Sequence, residues 1–109
     1  MVIERPWGKF EQFTHNEEST VKLIHVNPKK RTSLQSHNNR DENWVVIVGS
    51  CDVIIGDQTY HLGEGDSANI MRGDKHRITG GPDGVIILEI AKGDFNEDDI
   101  ERFEDDYGR

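Results

Sequence analysis

Gln35-Ser36-His37-Asn38-Asn39-Arg40-Asp41-Glu42-Asn43-Trp44-Val45-Val46-Ile47-Val48-Gly49 is the stretch on which the fold turns. In an extended chain alternate residues share a face, so Gln35 and His37 point the same way, into a barrel if one forms. A turn over residues 38–41 then returns Glu42 beside them, at the head of the strand 43–48. Further along, Gly65-Asp66-Ser67-Ala68-Asn69-Ile70-Met71-Arg72-Gly73-Asp74-Lys75-His76 delivers a second imidazole at the start of another strand.

Outward from this stretch the chain reads as short β-branched runs between Gly, Asp, Asn and Pro clusters. Strands are predicted at 21–26, 43–48, 51–55, 59–62, 67–70, 76–79 and 85–90, with Asn27-Pro28 closing the first and Gly56-Asp57-Gln58 turning into the fourth. Seven strands at this spacing, with no long helical stretch among them, predict an all-β sandwich or barrel. One short helix is predicted over 94–103, where Asn96 can cap, acids crowd the first turn, and Ile100 and Phe103 offer one apolar face. No internal repeat, low-complexity tract or linker divides the chain. One domain over 1–109 is therefore expected, with a barrel over 1–93 and an acidic helix and tail over 94–109.

Composition limits the function classes. The chain has 109 residues, 33% hydrophobic, and carries a net charge of −8, with a mean hydropathy of −0.74. Nucleic acid and anionic membranes both call for a basic footprint, so neither is an expected partner. The tail holds most of the negative charge, which leaves the nearly neutral body free to form a local cationic pocket. No apolar run is long enough to span a bilayer, and Met1-Val2-Ile3-Glu4-Arg5-Pro6 lacks the layout of a signal peptide, so a cytoplasmic location is expected. The lone Cys51 lies in an apolar stretch and reads as packing. Open β-edges and the apolar run from Trp44 to Val48 predict that one strand face meets a second sheet or subunit, and so a homodimer.

Two imidazoles, a carboxylate and an amide oxygen suit Zn²⁺, Fe²⁺, Mn²⁺, Co²⁺ or Ni²⁺, and the absence of thiolates argues against a closed structural zinc site. Spacing alone leaves a second reading open, in which His37 and His76 are two of five histidines that happen to lie near strands.

The spacings then resemble the two cupin motifs. Glu42, six residues and Gly49 match the first; Gly65, five residues, a position that is usually proline, one residue, Gly73, two residues and His76 match the second. Gln35-x-His37 stands where most cupins have His-x-His, a variant similar to that of phosphomannose isomerases. Arg5-Pro6-Trp7-Gly8, Ser33-Leu34-Gln35-Ser36-His37, Arg40 with Glu42 and Trp44, and Arg102-Phe103-Glu104-Asp105-Asp106-Tyr107-Gly108-Arg109 extend the likeness to both ends. Together they resemble the C-terminal isomerase domain of type II mannose-6-phosphate isomerase/mannose-1-phosphate guanylyltransferase, here as a stand-alone domain. The chain departs from the family at Asn38, Asn39 and Asn43, where histidines are usual, and at Met71 and Gly80, where the motif has proline and asparagine. The guanylyltransferase domain and its glycine-rich loop do not fit in this length, so nucleotide transfer is not expected of this polypeptide.

The resemblance implies a cupin double-stranded β-helix and one divalent metal ion, Zn²⁺ foremost, held by Gln35, His37, Glu42 and His76. It also implies a sugar phosphate as ligand and the interconversion of mannose 6-phosphate and fructose 6-phosphate. That reaction needs a polarised carbonyl, a group to move the C2 proton to C1, and cations for the phosphate. Glu89 is the candidate base, because strand alternation sets it with Val85 and Ile87 on one face and burial raises a carboxyl pKa. Lys22, which shares a face with Ile24 and Val26 on the first strand, is a further candidate for catalysis and for the phosphate, and the rival reading of Glu89 is a carboxylate simply paired with it. Arg40, Arg102 and Arg77 are candidates for the phosphate, since guanidinium groups bind it bidentately. Arg77 alternates away from His76 and so competes for the outer face, while Trp7 and Trp44 read as core or interface aromatics. The rival expectations are a metal-containing cupin that binds a sugar or another small ligand without turnover, and an iron-dependent oxygenase, because a fold does not fix a function.

Overall fold

Two long strands take the place of four predicted ones. The computed structural model describes residues 1–94, 96 and 98–108. Its strands are β1 (Val2–Arg5), β2 (Gly8–Glu11), β3 (Ser19–Val26), β4 (Leu34–Ser36), β5 (Arg40–Ile55), β6 (Gln58–Leu62), β7 (Ser67–Ile70), β8 (His76–Gly93) and β9 (Glu101–Glu104). β1 and β2 form a hairpin of their own. The other seven make one sheet in the order β6-β5-β8-β4-β9, with β3 also on β8 and β7 also on β5. The start of β5 pairs with β7 and the end of β8, while its later half pairs with β6 and the start of β8. Strands that serve both halves of a sheet in this way roll it into a jelly-roll barrel of the cupin type, the all-β fold expected from the sequence.

The predicted breaks at 49–50 and 80–84 are corners. The β5–β8 register shifts between Val46 and Val48 and again between Gly49 and Cys51. Gly49 has φ +83, and a Cβ there would run into the Gly84 carbonyl, so only glycine lets the two corners cross.

Strict alternation then decides what faces inward. Along β5, Arg40, Glu42, Trp44 and Val46 are buried. Across the sheet, Lys22 pairs with Glu89 and Glu89 with Trp44, which forms one inward row over β3, β8 and β5. Below this row Val46, Cys51, Val53, Ile78, Val85 and Ile87 close the apolar core. Cys51 is fully buried and its thiol is pushed up to about 11 by that burial, which makes it an inert packing residue. Trp7, in contrast, is 73% exposed and stacks on Phe10 of its own hairpin. Val21, Leu23, Ile47 and Val48 lie exposed on the outer face.

The predicted helix over 94–103 does not form among the described residues; Phe95 and Glu97 lie outside them. Asn96 does cap, but only a single turn: its side-chain oxygen accepts the Asp98 N–H and its carbonyl accepts the Asp99 N–H. Asp and Asn compete with helix through such local bonds. The chain then leaves to pair β9 with β4, through Leu34–Glu104, Gln35–Arg102 and Ser36–Glu101. Strand pairing and tertiary hydrogen bonds outweigh a weak helical pattern here. No helix of the described residues is long and apolar enough to cross a membrane.

Candidate metal centre

The turn after β4 sets His37 opposite β5, and the β4–β8 pairing places Gln35 directly against His76. The ligand atoms of His37, Glu42 and His76 all lie within 4.8 Å of one another, and all three residues are buried. Backbone carbonyls fix both ring tautomers. His37 Nδ1–H donates to the Asp99 carbonyl at 2.7 Å, and His76 Nδ1–H donates to the Asp74 carbonyl at 2.9 Å. Each ring therefore carries its lone pair on Nε2, as metal-binding histidines do when the other nitrogen is tied down; that of His76 has no partner among the described residues, while that of His37 accepts from Arg40 Nη2 at 3.0 Å.

Burial leaves polar atoms unsatisfied at the centre of this cluster. Glu42 Oε1 and His76 Nε2 find no hydrogen-bond partner among the described residues and face each other at 3.7 Å. Buried orphans are costly, and two of them on converging ligand side chains fit a cation between them. Two neutral imidazoles, a carboxylate and the Gln35 amide offer an N/O donor set for a borderline divalent ion. Ser33 Oγ–H donates to Gln35 Oε1 at 3.1 Å and orients that amide. The cluster lies at the floor of a cavity of about 200 Å³ that also reaches Lys22, Trp44, Glu89 and Arg102.

Comparison with known proteins fits this geometry. The family described as "Mannose-6-phosphate isomerase C-terminal" matches residues 1–105. The chain belongs to that family. Among its relatives, the alginate biosynthesis protein AlgA of Pseudomonas aeruginosa is 39% identical over 98% of this chain. The mannose-1-phosphate guanylyltransferase ManC of Salmonella typhimurium is 38% identical over the same share. The chain spans 23% of the length of each. In structure it is similar to a Klebsiella pneumoniae protein with a double-stranded β-helix domain, with a TM-score of 0.69, 22% identity and coverage of 82% of this chain and 77% of that one.

Within this isomerase-family domain the remaining residues singled out from the sequence divide into two groups. Glu89, Lys22 and Arg102 reach the cavity. Glu89 is buried; Trp44 Nε1–H donates to its Oε1 at 3.3 Å, and Lys22 Nζ lies 3.3 Å from its Oε2. Burial, then the neighbouring Glu42 carboxylate, pushes Glu89 above the ordinary carboxyl range, against the pull of Lys22. The Trp44 indole is thus a working hydrogen-bond donor as well as a core aromatic, a role its sequence context does not signal.

Arg40 and Arg77 are placed differently from the phosphate role expected of them. Arg40 lines the cavity, but its buried guanidinium turns to two of the candidate ligands: Nε donates to Glu42 Oε2 at 3.1 Å and Nη2 donates to His37 Nε2 at 3.0 Å. The cause is local, since Arg40 and Glu42 share one face of β5. Arg77 leaves the cavity altogether. It alternates to the other face from His76, donates through Nε to the Thr32 carbonyl at 2.9 Å, and ties down the tail through Glu104 Oε1 at 2.9 Å.

Burial holds both histidines below their ordinary pKa, and His76 falls from 6.5 to about 4, with His37 beside it adding to the effect against the pull of the Asp74 carbonyl. In metal-free protein the unfolded chain thus takes up a proton on residue 76 below pH 6.5, while the folded chain resists until about pH 4. Stability is present above 6.5 and falls with pH through that window, by up to about 3 kcal/mol from this group. Glu89, raised in the fold, opposes this trend, so the informative quantity is the difference between two proteins. Thermal melts between pH 7 and 4 should show a shallower acid loss in His76→Gln than in wild type. Parallel curves would contradict a buried neutral imidazole.

Proposed function

We propose that this domain is a metal-dependent isomerase that interconverts mannose 6-phosphate and fructose 6-phosphate, with one divalent ion, zinc first among the candidates, held by Gln35, His37, Glu42 and His76. The observation that carries the reading is the inward row Lys22–Glu89–Trp44, which sets a buried carboxylate of raised pKa in the same cavity as the ligand cluster. When bound, the ion supplies Lewis acidity that polarises the sugar carbonyl and stabilises the negative charge developing on its oxygen.

The rest falls to side chains of this chain. Glu89 accepts the C2 proton and returns it to C1, while across the enediol the O2 hydroxyl proton is given up and O1 takes one, so substrate and product balance with no net proton gained or lost. Its raised pKa brings it closer to the neutral range in which a base can both take and release a proton. Trp44 N–H holds one carboxylate oxygen, which leaves the other to exchange the proton beside Lys22. Lys22, with 41% of its side chain exposed, and Arg102 on β9 supply cations to the phosphate at the cavity mouth. The Lys22–Glu89 ion pair also suits a second reading, in which the domain binds a sugar phosphate without turnover because Lys22 keeps the base neutralised. An assay for fructose 6-phosphate formed from mannose 6-phosphate separates the two. Product should appear with metal-loaded protein and stop when a chelator is added; binding of mannose 6-phosphate without product would favour the second reading.

A further inference from the structure

Of the two candidate imidazole ligands, His37 is steadied from the C-terminal tail, where Asp99 makes most of the contacts to residues 37–39 and the Asp94 N–H adds one to the Asn39 carbonyl at 3.2 Å. The Asp99 carbonyl accepts His37 Nδ1–H at 2.7 Å. The Asp99 carboxylate accepts the backbone N–H of Asn39 at 2.9 Å and that of Asn38 at 3.1 and 3.2 Å. Three consecutive residues, beginning with a candidate ligand, are thus bound to one. These backbone bonds, that from Asn38 first, also hold the Asp99 carboxyl below its usual range.

Asp99 is itself anchored on both sides. Before it, its N–H donates to the Asn96 carbonyl at 2.9 Å. After it, Ile100 lines the cavity and β9 pairs with β4. Farther on, Arg31 grips Asp106 through two bonds of 2.7 and 2.8 Å. The ring of His37 is therefore held from two sides, by the docked strap at Nδ1 and by Arg40 and His76 of the barrel at its other edge.

We propose that Asp99 is a positioning residue for the metal centre, its carboxylate fixing the 37–39 turn and its carbonyl aiming the His37 lone pair, so that docking of the tail and metal affinity are coupled. The inference rests on the metal reading above and goes beyond it by making the acidic tail part of the site. Outer partners of ligating histidines typically contribute about 10–100-fold in metal affinity.

The test uses Co²⁺, whose visible absorption reports coordination geometry, with the full chain and a chelator of known affinity as competitor. Asp99→Ala keeps the carbonyl that accepts His37 Nδ1–H but releases the backbone of 38–39, and should bind Co²⁺ more weakly than wild type by up to about 10-fold, the lower end of what loss of an outer partner causes, with an altered absorption band and an unchanged far-ultraviolet circular dichroism spectrum. Asp99→Asn keeps an acceptor oxygen and should recover most of the affinity and the wild-type band. Asp98→Ala, which removes a neighbouring negative charge, should bind as wild type does. Wild-type affinity and band in Asp99→Ala would overturn the proposal while leaving the metal reading intact. Equal weakening in Asp98→Ala and Asp99→Ala would also overturn it, because charge alone would then be the cause. A wild type that takes up no Co²⁺ would overturn the metal reading and this inference together.

Discussion

Glu89→Gln is expected to lower kcat for the interconversion of mannose 6-phosphate and fructose 6-phosphate by about 10²–10⁴-fold, the usual contribution of a positioned general base. Glutamine keeps the size of the side chain and still accepts the Trp44 N–H through its amide oxygen, so the cavity wall stays intact. What it loses is the ability to take the C2 proton. Metal content should not change, because Glu89 is not one of the converging ligand residues. Folding should tolerate the change well: a buried carboxylate of raised pKa is replaced by a neutral group, although Lys22 gives up its ion pair. Steady-state kinetics with metal analysis of the same samples checks this. An active Glu89→Gln would remove the base from the mechanism and return Glu89 to the role of a structural partner for Lys22.

The second large effect is on the metal. His76→Ala should strip most of the bound ion, weakening binding by more than the roughly 10–100-fold that loss of an outer partner causes, because a donor atom itself disappears. The barrel should remain folded, since its core is the apolar layer around Val46, Val53 and Ile87, and the imidazole lies above it against Trp44 and His37. His76→Gln fills more of the vacated space and guards against collapse of the alanine variant. Asn39→Ala should spare the metal, as only the backbone N–H of Asn39 is bonded to Asp99. Elemental analysis of the three purified variants beside wild type is the measurement. Equal metal in His76→Ala and wild type would remove His76 from the ligand set.

Much of this architecture is legible in the sequence, and where it is not the reasons are physical. Alternation along β5 is enough to put Glu42 and Trp44 inside, and along β8 enough to put Glu89 beside them, because one-residue slips would expose the whole apolar set. The glycines at 49, 80, 81 and 84 signal a break in hydrogen bonding but not whether the strand ends or turns a corner; here the chain bends and resumes pairing. β4 has three residues, too few for a period to show, and β9 exists only through pairing with β4. The helix expected over 94–103 rests on local preference, and local preference loses to that pairing.

Among site residues the same division holds. Lys22, Glu89 and Arg102 reach the cavity because strand alternation and a register position place them there. The direction of the Arg40 guanidinium depends on Glu42 and His37, toward which it points within the cavity. Asp99 gives no local signal at all: it is one acid in an acidic tail, and its part in the site comes from bonds to residues 37–39.

A calorimetric titration of metal-free wild type with Zn²⁺, repeated with Mn²⁺, Co²⁺ and Ni²⁺, tests the metal centre most directly. One equivalent bound per chain, with affinity holding below pH 6.5 and falling only toward the lowered pKa values of the buried imidazoles, about 4 for His76, where protons compete for the donor nitrogens, is the predicted result. Absence of stoichiometric binding by any of the four ions would contradict it.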